Sequence, residues 1–270
     1  MSTSKAPTIL VTGALSGLGR AFFEHFAAGS REGLSHGHIS DFKVIGIDRE
    51  PWPGQDGKPQ PSHVHGPQSV YVQADVTSPS DELKAFTLKW IGEDTPLCLV
   101  IHSAGVRGLV PGVKLTKSDD VAAAETLEVM DAATMMKTFE INVLGTFNII
   151  TAVLPNLRLA AQQALHPRVA VMSSRNGSVA ANKTGGAYAY RASKAALNAV
   201  VRSMSIDVPE VCFGLLHPGR VETGLVSVKE DGAMTCEESL EGMLVVLDRL
   251  GEGHLKSGCF VDRFGVEIPW

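Results

Sequence analysis

The sequence predicts an α/β fold: one domain over residues 1–270, with helices packed on both faces of a doubly wound parallel sheet. Three observations predict it. Short apolar runs alternate with longer segments of helical periodicity, the pattern of strand–helix–strand units. Most of the runs are continuously apolar rather than alternating, as expected when helices cover both faces of a sheet. The first run leads straight into a glycine-rich turn and an amphipathic helix. No internal repeat and no linker divides the chain.

The strand runs, in order, are TILVT (8–12), KVIGID (43–48), VYVQ (70–73), LCLVIHS (97–103), RVAVMSS (168–174), VCFGLLHP (211–218) and GCFV (258–261). Helical periodicity spans 17–28, 80–91, 131–161, 190–207 and 236–250. Two helix starts are marked. SPSDEL places Ser78 at the N-cap and Pro79 at the first helical position, where proline's missing N–H costs nothing. TCEE places Thr235 at the N-cap and Glu238 three residues later, a capping box. Residues 29–41 and 49–69, rich in Gly, Pro, Ser and His, read as exposed insertions flanking the second strand. A third long segment, 106–130, follows the fourth strand and is expected to be partly helical.

Composition excludes some function classes. Hydrophobic residues make up 44% and charged residues 20% of the chain, ordinary for a globular protein. The formal charge is −5, which gives no broad attraction for nucleic acid or an anionic membrane, so neither is an expected partner. No apolar stretch is expected to reach the ~20 residues that span a bilayer. No signal-peptide pattern precedes the first strand, so a cytoplasmic location is expected. Cys98, Cys212, Cys236 and Cys259 form no CxxC pair and read as reduced structural thiols. The pairs His36/His38 and His63/His65 lie in polar loops without an acidic or cysteine partner at ligand spacing, so no metal is expected.

The glycine-rich turn carries the first chemistry. In TGALSGLGR, Gly13 allows a sharp turn after the strand, Gly17 lets a pyrophosphate approach the helix N-terminus, and Gly19 lets that helix pack close to the sheet. Ser16 and Leu18 lie in the same turn, whose free N–H groups face the phosphates. This is the start of a Rossmann-like dinucleotide site. Asp48 ends the second strand, where a carboxylate accepts both hydroxyls of the adenosine ribose and repels a 2′-phosphate. Arg49 follows it and offsets part of that repulsion, while the residue before Gly17 is Ser16 rather than a basic one. NAD is therefore the expected cofactor, with NADP kept open.

The stretch AYAYRASKAAL offers two tyrosines to one lysine. Residues four apart share a helix face, which pairs Tyr190 with Lys194 and leaves Tyr188 opposite Ala192. Tyr188 is expected just before the helix, as a packing or substrate-side residue. A phenol ionises near pH 10, and a neighbouring ammonium favours the phenolate, so the pair suits proton transfer to or from a substrate oxygen.

TGxxxGxG together with YRASK resembles the short-chain dehydrogenase/reductase family. SSRNGS, YAYRASKAALN and the chain end SGCFVDRFGVEIPW resemble its C-factor/Sniffer-like branch. The resemblance spans nearly all of the chain outside the insertions. It implies strand order 3-2-1-4-5-6-7 and hydride exchange between a nicotinamide cofactor and a carbonyl or alcohol. It implies that Lys194 also holds the nicotinamide ribose and that Asp75 and Val76 line the adenine pocket. It assigns the loop after strand four, Ser103, Ala104 and Gly105, to the cofactor. There HSAG stands where the family usually has Asn-Asn-Ala-Gly, and His102 reads either as a core histidine or as a substitute for the asparagine's bracing bonds.

The resemblance further implies that Ser174, with Ser173 as the alternative, binds the substrate oxygen. It implies that Asn142 kinks its helix and supports a proton relay from the lysine. Pro218, Gly219, Val221 and Thr223 match PGxVxT and would face the nicotinamide, with a mobile lid running on to about residue 236. The implied partners are a small carbonyl or alcohol molecule and further copies of the chain in a homodimer or homotetramer. A cofactor-binding signalling or scaffold protein with little turnover is the competing class.

Overall fold

The runs of β-branched and aliphatic residues form strands that are buried nearly throughout, in a computed structural model that describes residues 5–34, 41–52 and 68–270. The strands are β1 (Thr8–Thr12), β2 (Lys43–Asp48), β3 (Ser69–Gln73), β4 (Leu97–His102), β5 (Arg168–Met172), β6 (Cys212–His217) and β7 (Cys259–Asp262). They form one seven-stranded sheet in the order β3-β2-β1-β4-β5-β6-β7. Every adjacent pair is parallel. The fold is thus the Rossmann-like doubly wound sheet expected, in the expected order. The chain reverses its winding between β1 and β4, and the crevice above their carboxyl ends is where such sheets bind ligands.

Helices α1 (Gly17–Ala27), α2 (Ser80–Trp90), α3 (Ser118–Ala123), α4 (Ala132–Phe139), α5 (Gly145–Gln162), α6 (Tyr188–Asp207) and α7 (Cys236–Gly251) complete the chain. One apolar layer joins Phe22, Phe23 and Phe26 of α1 to Met243, Val246 and Leu247 of α7 against one face of the sheet. The other joins Leu83 of α2, Ile149 and Val153 of α5, and Leu197 and Val201 of α6.

The structure corrects several sequence expectations. Helix α2 begins at Ser80 with Pro79 in the cap position, not with Ser78 as cap and Pro79 inside. Asp75 Oδ1 accepts from both Thr77 N and Thr77 Oγ1 at 2.8 Å and holds the preceding turn. Pro79 then has an extended ψ of 149°, so the helix starts one residue later. The expected helix 131–161 is α4 and α5 joined by a π-helical turn, Glu140–Leu144, with Asn142 at its centre. The run Ala132–Gln162 is long and apolar enough to cross a membrane by length and composition, contrary to expectation. Within the fold it is a core helix, with 56% of its most apolar window buried.

Helix α6 begins at Tyr188, so that residue lies in the first turn rather than before it. The capping box at Thr235 and Glu238 is present, with Thr235 N donating to Glu238 Oε2 at 2.8 Å and Glu238 N to Thr235 Oγ1 at 3.1 Å. The histidine pairs 36/38 and 63/65, and most of the two insertions that hold them, lie outside the described residues.

Candidate active site

The glycine turn behaves as its spacing requires. Gly13 and Gly17 occupy the left-handed region, at φ 70° and 54°. A Cβ on Gly19 would stand 2.2 Å from the Gly13 carbonyl oxygen, so only glycine lets α1 sit this close to the strand end. Ser16 caps α1 with extended backbone and makes no side-chain cap bond, so no side chain of the cap competes for the helix's first N–H groups. Asp48 lies across the crevice, its Oδ2 3.4 Å from Leu15 N and its Oδ1 3.4 Å from Glu50 N. Arg49 turns to Glu50, 3.4 Å away, rather than to Asp48.

A buried hydrogen-bond chain runs through His102. Ala104 N donates to Thr12 Oγ1 (3.2 Å), which lies 2.9 Å from His102 Nδ1. On the other side His102 Nε2 lies 2.8 Å from Thr146 Oγ1, which donates to the Asn142 carbonyl at 2.8 Å. Because the Thr146 proton is committed to that carbonyl, Nε2 carries the imidazole proton and Nδ1 accepts from Thr12. His102 is therefore a core histidine and a brace at once. Burial, with a smaller push from Lys194, lowers its pKa to about 3, which keeps it neutral.

Asn142 braces the same loop with its side chain. Its Oδ1 accepts from Val106 N (2.8 Å), and its Nδ2 donates to Val106 O (2.9 Å) and to Ser193 Oγ (3.0 Å). The π-turn widens the helix at the position that presents this side chain to the β4 loop.

Tyr190 and Lys194 share the buried face of α6, 7% and 6% exposed, while Tyr188 is 37% exposed and faces away. Lys194 Nζ donates to the Met172 carbonyl at 2.8 Å and sits 5.8 Å from the centre of the Tyr190 ring. The Ser174 hydroxyl faces Tyr190 and favours its ionised form, while its oxygen also accepts from Asn176 N at 3.2 Å. Ser173 instead donates to Asn198 Oδ1 at 2.6 Å, inside the core. The structure thus separates the two adjacent serines, one facing the tyrosine and one facing the fold.

The electrostatics differ from expectation. Burial pushes the Tyr190 phenol up, opposed first by Arg107 and then by the Ser174 hydroxyl. Burial also lowers Lys194 to about 8, so the lysine loses charge before the buried phenol ionises. At the high pH where the phenol titrates, the cation that keeps its charge beside Tyr190 is therefore Arg107, while Lys194 is charged only below about 8.

Arg107 and its partner Glu125 were not read from the sequence as site residues. The signal was a lone arginine in the apolar run AGVRGLV, directly after the strand-four glycine.

One cavity of about 650 Å³ runs from the glycine turn past Asp48, Asp75, Val76 and Ser103–Gly105 to Ser174, Tyr190, Lys194 and the Pro218–Thr223 segment. Of the residues expected at the cofactor, Gly19 alone is not in its wall, and Asn142 stands behind it. His217 Nδ1, at the end of β6, is buried without a partner and belongs to a residue of this wall. These observations fit a nicotinamide dinucleotide: a helix N-terminus free of side-chain caps, a carboxylate at the second strand, and a close-approach loop after the fourth.

Comparison with known proteins agrees with the fold. The family model for short chain dehydrogenases matches residues 7–233. The chain is 44% identical over 177 residues to the C-signal of Myxococcus xanthus, covering 65% of this chain and 93% of that protein. It is 32% identical over 206 residues to the 1-hydroxy-2-glutathionyl-2-methyl-3-butene dehydrogenase of Rhodococcus sp. (strain AD45), covering 75% and 80%. Among solved structures, an NADPH-bound carbonyl reductase from chicken fatty liver superposes with a TM-score of 0.73 at 27% identity, covering 98% of this chain and 100% of that one. The carbonyl reductase Sniffer of D. melanogaster superposes with a TM-score of 0.73 at 22% identity, with the same coverage. The chain belongs to the short chain dehydrogenase family of nicotinamide-dependent oxidoreductases, with affinity to its C-factor/Sniffer-like members.

Proposed function

We propose that the protein interconverts a small carbonyl compound and its alcohol through Ser174, Tyr190, Lys194 and Asn142. The observation that carries this reading is the Tyr190 hydroxyl, buried beside Ser174 and opening onto the dinucleotide-sized cavity. The nicotinamide cofactor, when bound, supplies or takes up the hydride. Ser174 donates a hydrogen bond to the substrate oxygen, a bond that strengthens as negative charge grows there. In reduction Tyr190 gives its phenolic proton to that oxygen; in oxidation the phenolate takes the proton back. A phenol held high stays protonated near neutral pH, which suits the reducing direction. Lys194 holds the cofactor ribose, and Asn142 fixes the Val106 backbone beside it. NAD is the preferred cofactor on this reading, because Asp48 faces the ribose position and Arg49 is engaged by Glu50.

The test is cofactor consumption across a panel of aldehydes, ketones and alcohols, with both cofactors and with Tyr190→Phe as control. Turnover that disappears in the variant supports the reading. The four unpaired thiols suit a reducing compartment and the cytoplasm. A homodimer or homotetramer is expected on the family's pattern.

A second reading has one observation in its favour, the 44% identity to a protein named C-signal. On it the chain binds the cofactor and signals with little turnover. Tight cofactor binding without consumption of any panel compound would favour it.

A further inference from the structure

The segment after β4 carries a guanidinium that stacks on the proposed proton carrier. The Arg107 guanidinium carbon lies 4.9 Å from the centre of the Tyr190 ring, closer than the Lys194 ammonium at 5.8 Å. Two parallel bonds pin it to Glu125: Nε to Oε1 at 2.6 Å and Nη2 to Oε2 at 3.0 Å. Glu125 is 4% exposed, so this pair is enclosed. The Glu125 carbonyl also accepts from Ala187 N at 3.0 Å. Ala187 has φ 50° and is the residue from which α6 starts, three before Tyr190. A single residue therefore fixes both the guanidinium and the start of the helix that bears the tyrosine.

We propose that Arg107, clamped by Glu125, is a positioning residue that orients the Tyr190 ring and sets how readily it releases its proton. The proposal rests on the reading of Tyr190 as proton carrier. A guanidinium stays charged throughout the range in which a phenol titrates, and its planar face suits stacking on a ring. Lys194 does not stay charged there, since burial brings it to about 8. The groups facing Tyr190 are Arg107 and Glu125 from the β4 segment, Glu230 from the expected lid, Lys194 from α6 and the Ser174 hydroxyl after β5. Arg107 favours the phenolate, and the two carboxylates oppose it. The pair therefore tunes in both directions, with the cation nearer the ring.

The test is a tyrosinate titration read by ultraviolet absorbance, with folding checked by circular dichroism at each pH. The chain has three tyrosines, and Tyr188→Phe removes the exposed one. Tyr71, whose phenol is likewise raised by burial beside Asp48 and Glu50, is removed by Tyr71→Phe, so that Tyr190 is the one tyrosine titrated. In this background Arg107→Gln should raise the Tyr190 midpoint by about one pH unit, about tenfold less phenolate at a given pH. Glu125→Gln keeps an acceptor for the guanidinium and removes the opposing charge, so it should move the midpoint down. Opposite shifts support the proposal; no shift, or shifts of one sign, would overturn it. If Arg107→Gln does not fold, Glu125→Gln decides alone: a downward shift supports it, and an unmoved or raised midpoint sinks it. The titration uses neither cofactor nor substrate, so its result is independent of whether the protein turns over a carbonyl compound.

Discussion

His102 Nε2 lies 2.8 Å from Thr146 Oγ1, and that bond ties the end of β4 to the first turn of α5. Through Thr12 on one side and the Asn142 carbonyl on the other, it links the cofactor-side loop to the π-turn. The family usually has asparagine in this motif. Here an imidazole, with a nitrogen at each end of the ring, reaches both threonines from within the sheet.

His102→Ala should lose two buried hydrogen bonds and leave a cavity, a destabilisation of about 2–4 kcal/mol by urea unfolding. The pH dependence has a definite sign. The folded-state value near 3 lies below the usual 6.5, so the unfolded chain binds the proton first on acidification. The neutral, bridged form contributes fully above pH about 6.5, and stability falls at up to ~1.4 kcal/mol per unit as pH drops toward 3. His102→Asn should flatten this slope between pH 6.5 and 4. An unchanged slope would assign acid sensitivity to other groups.

Tyr190→Phe should nearly abolish turnover while leaving cofactor affinity close to that of the parent. It removes the transferable proton and keeps the ring in its packed site. Tyr188→Phe, on the exposed side of the same turn, should be mild. Steady-state rates and cofactor titrations on both variants check this, and the reverse order would mean that the proton carrier is misassigned.

The two serines should separate cleanly. Ser174→Ala should lower kcat by roughly 10²-fold, because its bond serves the developing charge, and should cost about 0.5–2 kcal/mol through the lost cap bond from Asn176 N. Ser173→Ala should cost about 1–2 kcal/mol of stability, because Asn198 Oδ1 loses a buried donor. Parallel kinetics and melting curves decide. A kinetic loss confined to Ser173→Ala would move the assignment by one residue.

Alcohol oxidation should accelerate with pH, since burial raises the Tyr190 phenol and the phenolate is scarce near neutrality. Carbonyl reduction should slow over the same range where proton transfer limits it. Rates in both directions with a deuterated cofactor would check the step observed. Flat profiles with hydride transfer limiting would count against Tyr190.

Asp48 should set cofactor choice. A 2′-phosphate carries about −2 charge. Unit charges 4 Å apart repel by ~4 kcal/mol at an effective dielectric of 20. If solvent leaves only ~1.4 kcal/mol of this, discrimination is tenfold. We expect higher kcat/KM with NADH than with NADPH, and a shift toward NADPH in Asp48→Ala. A parent preference for NADPH would show that Arg49 leaves Glu50 for the phosphate.

What the sequence determined by itself was local. Strand runs, the glycine turn and the pairing of Tyr190 with Lys194 all follow from patterns within one element or turn, as with four residues making about one helical turn, whereas the strand order came from the family resemblance. Asp48 was legible because it ends a strand. The tertiary structure decided what depends on which elements meet. It placed Ser174 at the tyrosine and Ser173 in the core, one residue apart but with different neighbours. It widened the helix at Asn142 and joined His102 to two threonines, 90 and 44 positions away. It brought Glu125 to Arg107 across a loop and laid that guanidinium on a ring 83 positions distant (190 − 107). The phenol's burial belongs to the same class: local spacing sets which side chains share a face, while the dielectric and charges facing them come from packing between distant segments.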